Sequence, residues 1–203
     1  MRNYLAALGA FVALFSTVPY IIDILHKKTK PNIVSWFTWM LLTGIATAAA
    51  FAAHQPKTAL LTLASVICVA AVVILGLKYG IAKFSLFDGL CQSGAILGLV
   101  LWLVFNSPLI AIVASVSIDF VAALPTMRHS WLNPAEETWQ TFLIGTIAAT
   151  LTTLSLTSHS LEAILYPMYL VFANGAIALI VVYRRKQLDI SLSRHSVHET
   201  LHE

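Results

Sequence analysis

The chain alternates long apolar stretches with short polar breaks. Seven stretches run about 4–25, 33–53, 58–79, 86–105, 108–127, 138–158 and 161–183. Each is close to the roughly 20 apolar residues that a helix needs to cross a bilayer. The breaks carry the residues that start and stop helices. His26 to Asn32 is polar and places Pro31 just before the second stretch, and His54-Gln55-Pro56-Lys57 and Asn106-Ser107-Pro108 are tight turns. Arg128 to Glu137 contains Pro134 and two acids, and Ser158-His159-Ser160 forms the sixth break. Proline is well tolerated there, because the first-turn N–H of a helix has no intrahelical partner to lose. Arg2 and the apolar run behind it resemble a signal peptide, but no small-x-small cleavage site follows, and a retained helix is expected. The tail, 187–203, spaces Leu188, Ile190, Leu192, Val197 and Leu201 among polar residues. That pattern fits either an amphipathic surface helix or a disordered end.

These elements predict an all-α membrane protein with seven transmembrane helices. Basic residues supply the orientation. With the N-terminus outside, the inner segments hold Lys27, Lys28, Lys30, Lys78, Lys83, Arg128, Arg184, Arg185, Lys186 and Arg194, and the outer ones only Arg2 and Lys57. The expected arrangement is therefore N-terminus out and C-terminus in. Composition agrees: 59% of the 203 residues are hydrophobic and 10% charged, against about 25% charged in soluble domains. The net charge of +3 is thinly spread between apolar segments, so the basic residues read as topology signals and nucleic acid is excluded as a partner. Cys68 and Cys91 lie inside apolar stretches without a CxxC pattern and are expected to be free thiols.

A shift of 103 residues lays the second stretch on the sixth without a gap. His26 then meets His129, Pro31 meets Pro134, Trp36 meets Trp139, Thr38 meets Thr141 and Thr47 meets Thr150. The scarce letters His, Pro and Trp carry the match. Pro19 meets Pro125 only at a shift of 106, so a three-residue gap is needed in the first pair. The division that follows is a first three-helix repeat over 1–80, a linker helix over 81–107, a second repeat over 108–183 and a cytoplasmic tail over 184–203. Three spans invert the chain and a fourth restores it, so the two triplets enter the membrane the same way up, in a 3+1+3 parallel repeat.

Pro19-Tyr20-Ile21-Ile22-Asp23-Ile24, then Lys28-Thr29-Lys30-Pro31-Asn32 and Ser35-Trp36, resemble the PQ-loop and SWEET superfamily of small transporters, as do Asp119, Pro125, Pro134 and Trp139 in the second half. The chain departs from that family in having Tyr20 after Pro19 and Thr126 after Pro125, where a Pro-Gln pair is usual. Trp36-Phe37-Thr38-Trp39 is also similar to a WxxW motif of vitamin-precursor transporters. The resemblance implies alternating access, prolines as hinges, and a seventh-helix Asn on the substrate cavity, a position that Asn174 matches.

Ionisable residues inside a membrane are functional suspects by default. Asp119 reads as a proton-coupling acid or a ligand for a substrate cation, against a carboxyl that merely joins two helices. Asp23 and Asp88 are further proton-coupling candidates, with capping or interfacial bonds as their plainer role. Asn174 and Gln92 offer donors and acceptors to a substrate, and Trp39 a stacking surface. Pro19, Pro125 and Pro167 are expected to interrupt helices and serve as hinges. No catalytic, metal-binding or cofactor-binding set is expected. The function expected is a small secondary transporter for a small polar metabolite such as a sugar, an amino acid or a vitamin precursor. A non-transporting receptor on the same scaffold is the alternative. Membrane lipid and a small-molecule substrate are the expected partners, homo-oligomerisation is left open, and the location expected is the bacterial inner membrane.

Overall fold

The computed structural model describes residues 2–188 apart from 53, 55, 82–84, 105–107 and 159. The tail beyond Leu188, and with it the surface-helix expectation for 187–203, lies outside the described residues. Within them the chain is all-helical, with no β-strand. Helices α1 (Arg2–Ser16), α2 (Val18–Leu25), α3 (Ile33–Ala52), α4 (Pro56–Tyr79), α5 (Leu86–Val104), α6 (Pro108–Leu132), α7 (Trp139–Ser155) and α8 (Leu161–Gln187) occupy the seven apolar stretches, with α1 and α2 sharing the first. A single 3-10 turn, Pro134–Glu136, precedes α7.

Among the described residues, three segments are long and apolar enough to cross a membrane: Arg2–Leu25, Leu60–Tyr79 and Ala163–Gln187. Their outer faces carry large apolar side chains that a water-facing protein would bury. Leu77 is 72% exposed, Phe172 67% and Leu179 70%. Lipid is the solvent that makes such a surface stable, and the protein is a membrane protein. Inside the helices, many hydroxyl groups are satisfied locally, as hydrocarbon favours. Thr43, Thr47, Thr146 and Thr153 each donate to the carbonyl one turn earlier.

Helix α4 packs on α3 and touches α1 and α2, whereas α8 packs on α7 and α6. Helix α1 packs chiefly on α7, α3 also meets α6, and α5 lies against α6 and α3. Gly9 sets the α1–α7 distance: a Cβ there would stand 3.0 Å from Thr152 Oγ1 and 3.2 Å from the Ala148 carbonyl. Small residues draw membrane helices together in this way, since burying apolar area from lipid supplies no drive.

Caps and cross-links gather at one end, among 26–32, the residues flanking α4 and α5 at 80–81 and 85, and 133–138. Asn32 caps α3, its Oδ1 accepting from the N–H of Val34 at 3.1 Å and of Ser35 at 3.3 Å. Ser85 and Asp88 form a reciprocal capping box at the start of α5, with the Ser85 N–H donating to Asp88 Oδ2 at 2.8 Å and the Asp88 N–H donating to Ser85 Oγ at 3.2 Å. Arg185, which the sequence presents as a topology charge, is 1% exposed and donates to the carbonyls of Pro134 at 2.9 Å and Glu137 at 2.7 Å. It anchors the 3-10 turn to the end of α8.

Candidate functional site

A cavity of about 580 Å³ is enclosed by α1, α3, α4, α6, α7 and α8. Its lining follows helical spacing on each wall, so it is one face of each helix rather than a loop. From α3 come Trp36, Trp39, Thr43 and Ala46; from α6 come Ile112, Ser115, Asp119 and Ala123; from α8 come Tyr166, Leu170, Asn174 and Ile177. Thr62 and Ile112 line it near the starts of α4 and α6, and Trp36 and Phe142 near the opposite end.

Among the described residues, Asp119 is the one carboxyl on this lining. It is 6% exposed and surrounded by donors. The Tyr169 hydroxyl donates to Oδ2 at 2.6 Å and the Tyr166 hydroxyl to Oδ1 at 3.5 Å. The Trp39 indole, a donor only, also interacts with the carboxyl. Tyr166 and Tyr169 stand one turn apart on α8 with ring centroids 6.2 Å apart, so the α8 phenols and the α3 indole meet at a single α6 side chain. Asn174 lies deeper on α8. Its Nδ2 donates to the Leu170 carbonyl at 3.0 Å. Its Oδ1 faces Gly145 on α7, where an added Cβ would come within 3.0 Å. Glycine is needed at 145 to give that amide room.

Below the cavity an aromatic chain closes the space. Trp36 and Trp39 meet edge to face at 5.2 Å, Tyr20 lies against Trp36 at 4.5 Å, and Phe142 meets Tyr20 edge on at 6.2 Å. The Trp36 Nε1–H donates to the Tyr20 hydroxyl at 3.2 Å. Ile24, Val72 and Ile177 complete this plug. Tyr20, standing where the resembling family has Gln, is fully buried here. Beyond the plug, polar groups from both halves join. The Thr138 hydroxyl donates to Asp23 Oδ2 at 2.8 Å and lies 2.6 Å from Thr29 Oγ1. Lys30 pairs with Glu136, and the Lys30 N–H donates to the Glu136 carbonyl at 3.0 Å. His129 Nε2 lies 3.8 Å from Glu136 Oε2.

The residues singled out in the sequence thus fall into three places. Asp119, Asn174 and Trp39 share the cavity. Gln92 does not: its Oε1 accepts from Thr38 Oγ1 at 3.0 Å in a separate small gap between α3, α5 and α6. Asp23 and Asp88 sit at the capped end, the first on Thr138 and the second on Ser85 and Asn32. Of the three prolines, Pro19 alone coincides with a break, the turn at Thr17 that separates α1 from α2. Pro125 and Pro167 lie inside unbroken helices. Tyr166, Tyr169, Thr43 and Ser115 escaped the sequence reading. Their signal was positional, because each falls on the same helical stripe as Asp119, Asn174 or Trp39. Among the described residues no group of His, Cys, Asp and Glu is arranged to hold a metal ion. Comparison with protein-family models, curated proteins and solved structures gives no match.

Proposed function

We propose that this protein is a small secondary transporter that moves a small polar metabolite across a membrane by alternating access, on a scaffold like that of the PQ-loop and SWEET transporters. The observation that carries the proposal is the cavity enclosed by the helices, which we read as lying between two three-helix groups, 1–80 and 108–183. It has a carboxyl and an amide on an otherwise largely apolar wall, and it is closed at one end by residues drawn from both groups. Such a site is a pocket of the size that holds a small metabolite, and its position between two units lets their relative tilt change its access.

The packing order supports the parallel 3+1+3 reading. Each triplet places its third member between the other two, and the α1–α7 pairing is matched by the α3–α6 pairing, as a two-fold axis between the halves requires. On this reading all seven stretches span, the N-terminus lies outside, and the clasped end carrying Lys30 and Glu136 faces the cytoplasm of a bacterial cell. Asp119 and Asn174 contact the substrate or a coupling proton.

The test is flux. Purified protein in liposomes, loaded with a metabolite mixture, should show counterflow of a labelled component. Asp119→Asn and Asn174→Ala, each confirmed as folded by size exclusion and melting, should lower uptake by about tenfold or more, the change expected for one lost polar contact of about 1.4 kcal/mol. Unchanged uptake in both variants removes these site assignments. Binding without flux favours a receptor instead.

A further inference from the structure

We infer that the cavity takes a singly charged organic cation, an ammonium or a flat heteroaromatic cation, with its charge on Asp119 and its body against Trp39, Trp36 and Phe142. The inference rests on the transport reading only for the cavity's role as a ligand site, and it adds the chemical class.

The first observation is charge. Asp119 lines the cavity at 6% exposure, and no lysine, arginine or histidine does so among the described residues. Its neighbours Tyr169, Tyr166 and Trp39 bring donors but no positive charge. An ionised carboxyl in a membrane interior needs a compensating charge. The helices around it supply none, so a cation from outside is the group that completes the site.

The second observation is the aromatic wall. Trp36 and Trp39 stand edge to face at 5.2 Å, and Trp36, Trp39, Phe142 and Tyr166 all line the cavity. Aromatic faces carry negative potential and attract ammonium groups, most strongly when water is excluded. A neutral sugar asks for something different: many hydroxyls need many polar partners, and a site that leaves them unpaired rejects them. Asn174 has already committed one Nδ2–H to the Leu170 carbonyl at 3.0 Å, which leaves its second N–H and its amide oxygen as its polar offering to a ligand. One carboxylate, one amide, scattered Ser and Thr hydroxyls and a set of ring faces, on a wall that is mostly apolar, match a cation with an apolar body better than a polyol. An anion would meet the carboxylate with nothing to offset it.

The experiment compares ligands that differ in charge and little else. Choline and its neutral isostere 3,3-dimethylbutan-1-ol, with benzyltrimethylammonium and glucose, are titrated against the full chain in detergent while tryptophan fluorescence is followed. The cations should quench saturably and bind about tenfold or more tightly than the isostere, as a desolvated cation beside aromatic faces and one carboxylate allows. Asp119→Asn should erase that preference, and Trp39→Leu should weaken both cations. Equal binding of choline and its isostere to the wild-type protein overturns the inference without involving any variant. So does saturable binding of glucose alone, and so does the absence of saturable quenching by either cation. Flux in liposomes is scored separately: neutral-solute flux with no cation preference sinks this inference and leaves the transport reading standing, whereas cation binding without flux does the reverse.

Discussion

At Asp119, three helices are joined through one side chain. The bonds to it are interhelical hydrogen bonds in a membrane, worth about 0.6 kcal/mol on average and up to about 1.7. They are strong enough to orient the carboxyl and too weak to prevent exchange for a ligand. Gly145 shows a finer constraint. Gly145→Ala would bring a Cβ to 3.0 Å from Asn174 Oδ1, and the amide must rotate away or α7 must withdraw from α8. The expected outcome is a melting temperature lowered by a few degrees, consistent with about 1 kcal/mol of overpacking, and a several-fold rise in the half-saturation constant for transport. A variant with unaltered transport would show that the amide does not face the substrate. His129 lies beyond the apolar stretch 108–127, at the end of α6. Burial holds its imidazole below the ordinary value of 6.5, with Glu136 pulling it back up and Lys30 pushing it further down. The folded state therefore binds this proton less readily than the unfolded chain. Its contribution to stability is constant above about 6.5, shrinks as pH falls through that value, and levels off below the folded one. Melting between pH 8 and 5 should show a smaller loss in His129→Gln than in the wild type, and parallel curves would refute the assignment.

Among the elements, the first apolar stretch is the one that divides. Pro19 cannot donate to the Phe15 carbonyl, and its ring crowds that turn. Helix α1 ends at Ser16 and α2 begins at Val18. Pro125 and Pro167 lack the same hydrogen bond yet leave α6 and α8 continuous, so a missing donor permits a break without requiring one. The break at Thr17 sits beside the cavity, which Ser16 and Thr17 line. That places the joint where a tilt of α2, carrying Tyr20 and Ile24 of the plug, would open or close the plugged end of the cavity. Pro19→Ala restores the donor and favours a single straight helix. If α2 must tilt during transport, one added hydrogen bond of about 1 kcal/mol slows turnover by roughly five- to tenfold and leaves ligand binding unchanged. Equal turnover in Pro19→Ala would assign the break a static role.

For the molecule as a whole, the contacts at the capped end are those that join the first half of the chain to the second. The Lys30–Glu136 pair is half open to solvent, at 49% and 34%, and such pairs contribute about 0.2 to 1 kcal/mol. The buried link from Asp23 through Thr138 to Thr29 is shielded from water and holds the closed state more firmly. Lys30→Glu or Glu136→Lys alone should set like charges against each other, raising several-fold the labelling of a cysteine introduced at Thr141 by a membrane-impermeant thiol reagent applied from that side. The double exchange should restore the wild-type rate, with a coupling of about 0.5 to 1 kcal/mol. Additive effects in the double variant would show that the pair does not bridge the halves.

The sequence by itself determined the helices and the solvent. Runs of about 20 apolar residues broken by Pro, Asn and charge admit little else, because unpaired backbone groups in hydrocarbon must close into helices. It also made Asp119 and Asn174 conspicuous, since polar residues are rare in such runs. The tertiary structure decided which face of each helix turns inward. A helix that is apolar all round carries no amphipathic stripe to announce its inner side, so Tyr166 and Tyr169 were indistinguishable from interfacial aromatics until α8 was placed beside α6. Gln92 was conspicuous in the sequence for the same reason as Asn174, yet the position of α5 turned it onto Thr38 and away from the cavity. Arg185 carries a charge that reads as a topology signal, and only the fold of 133–138 over the end of α8 made it a buried anchor. Local chemistry dictates which segments become helical; the angle at which those segments meet dictates which of their side chains share a site.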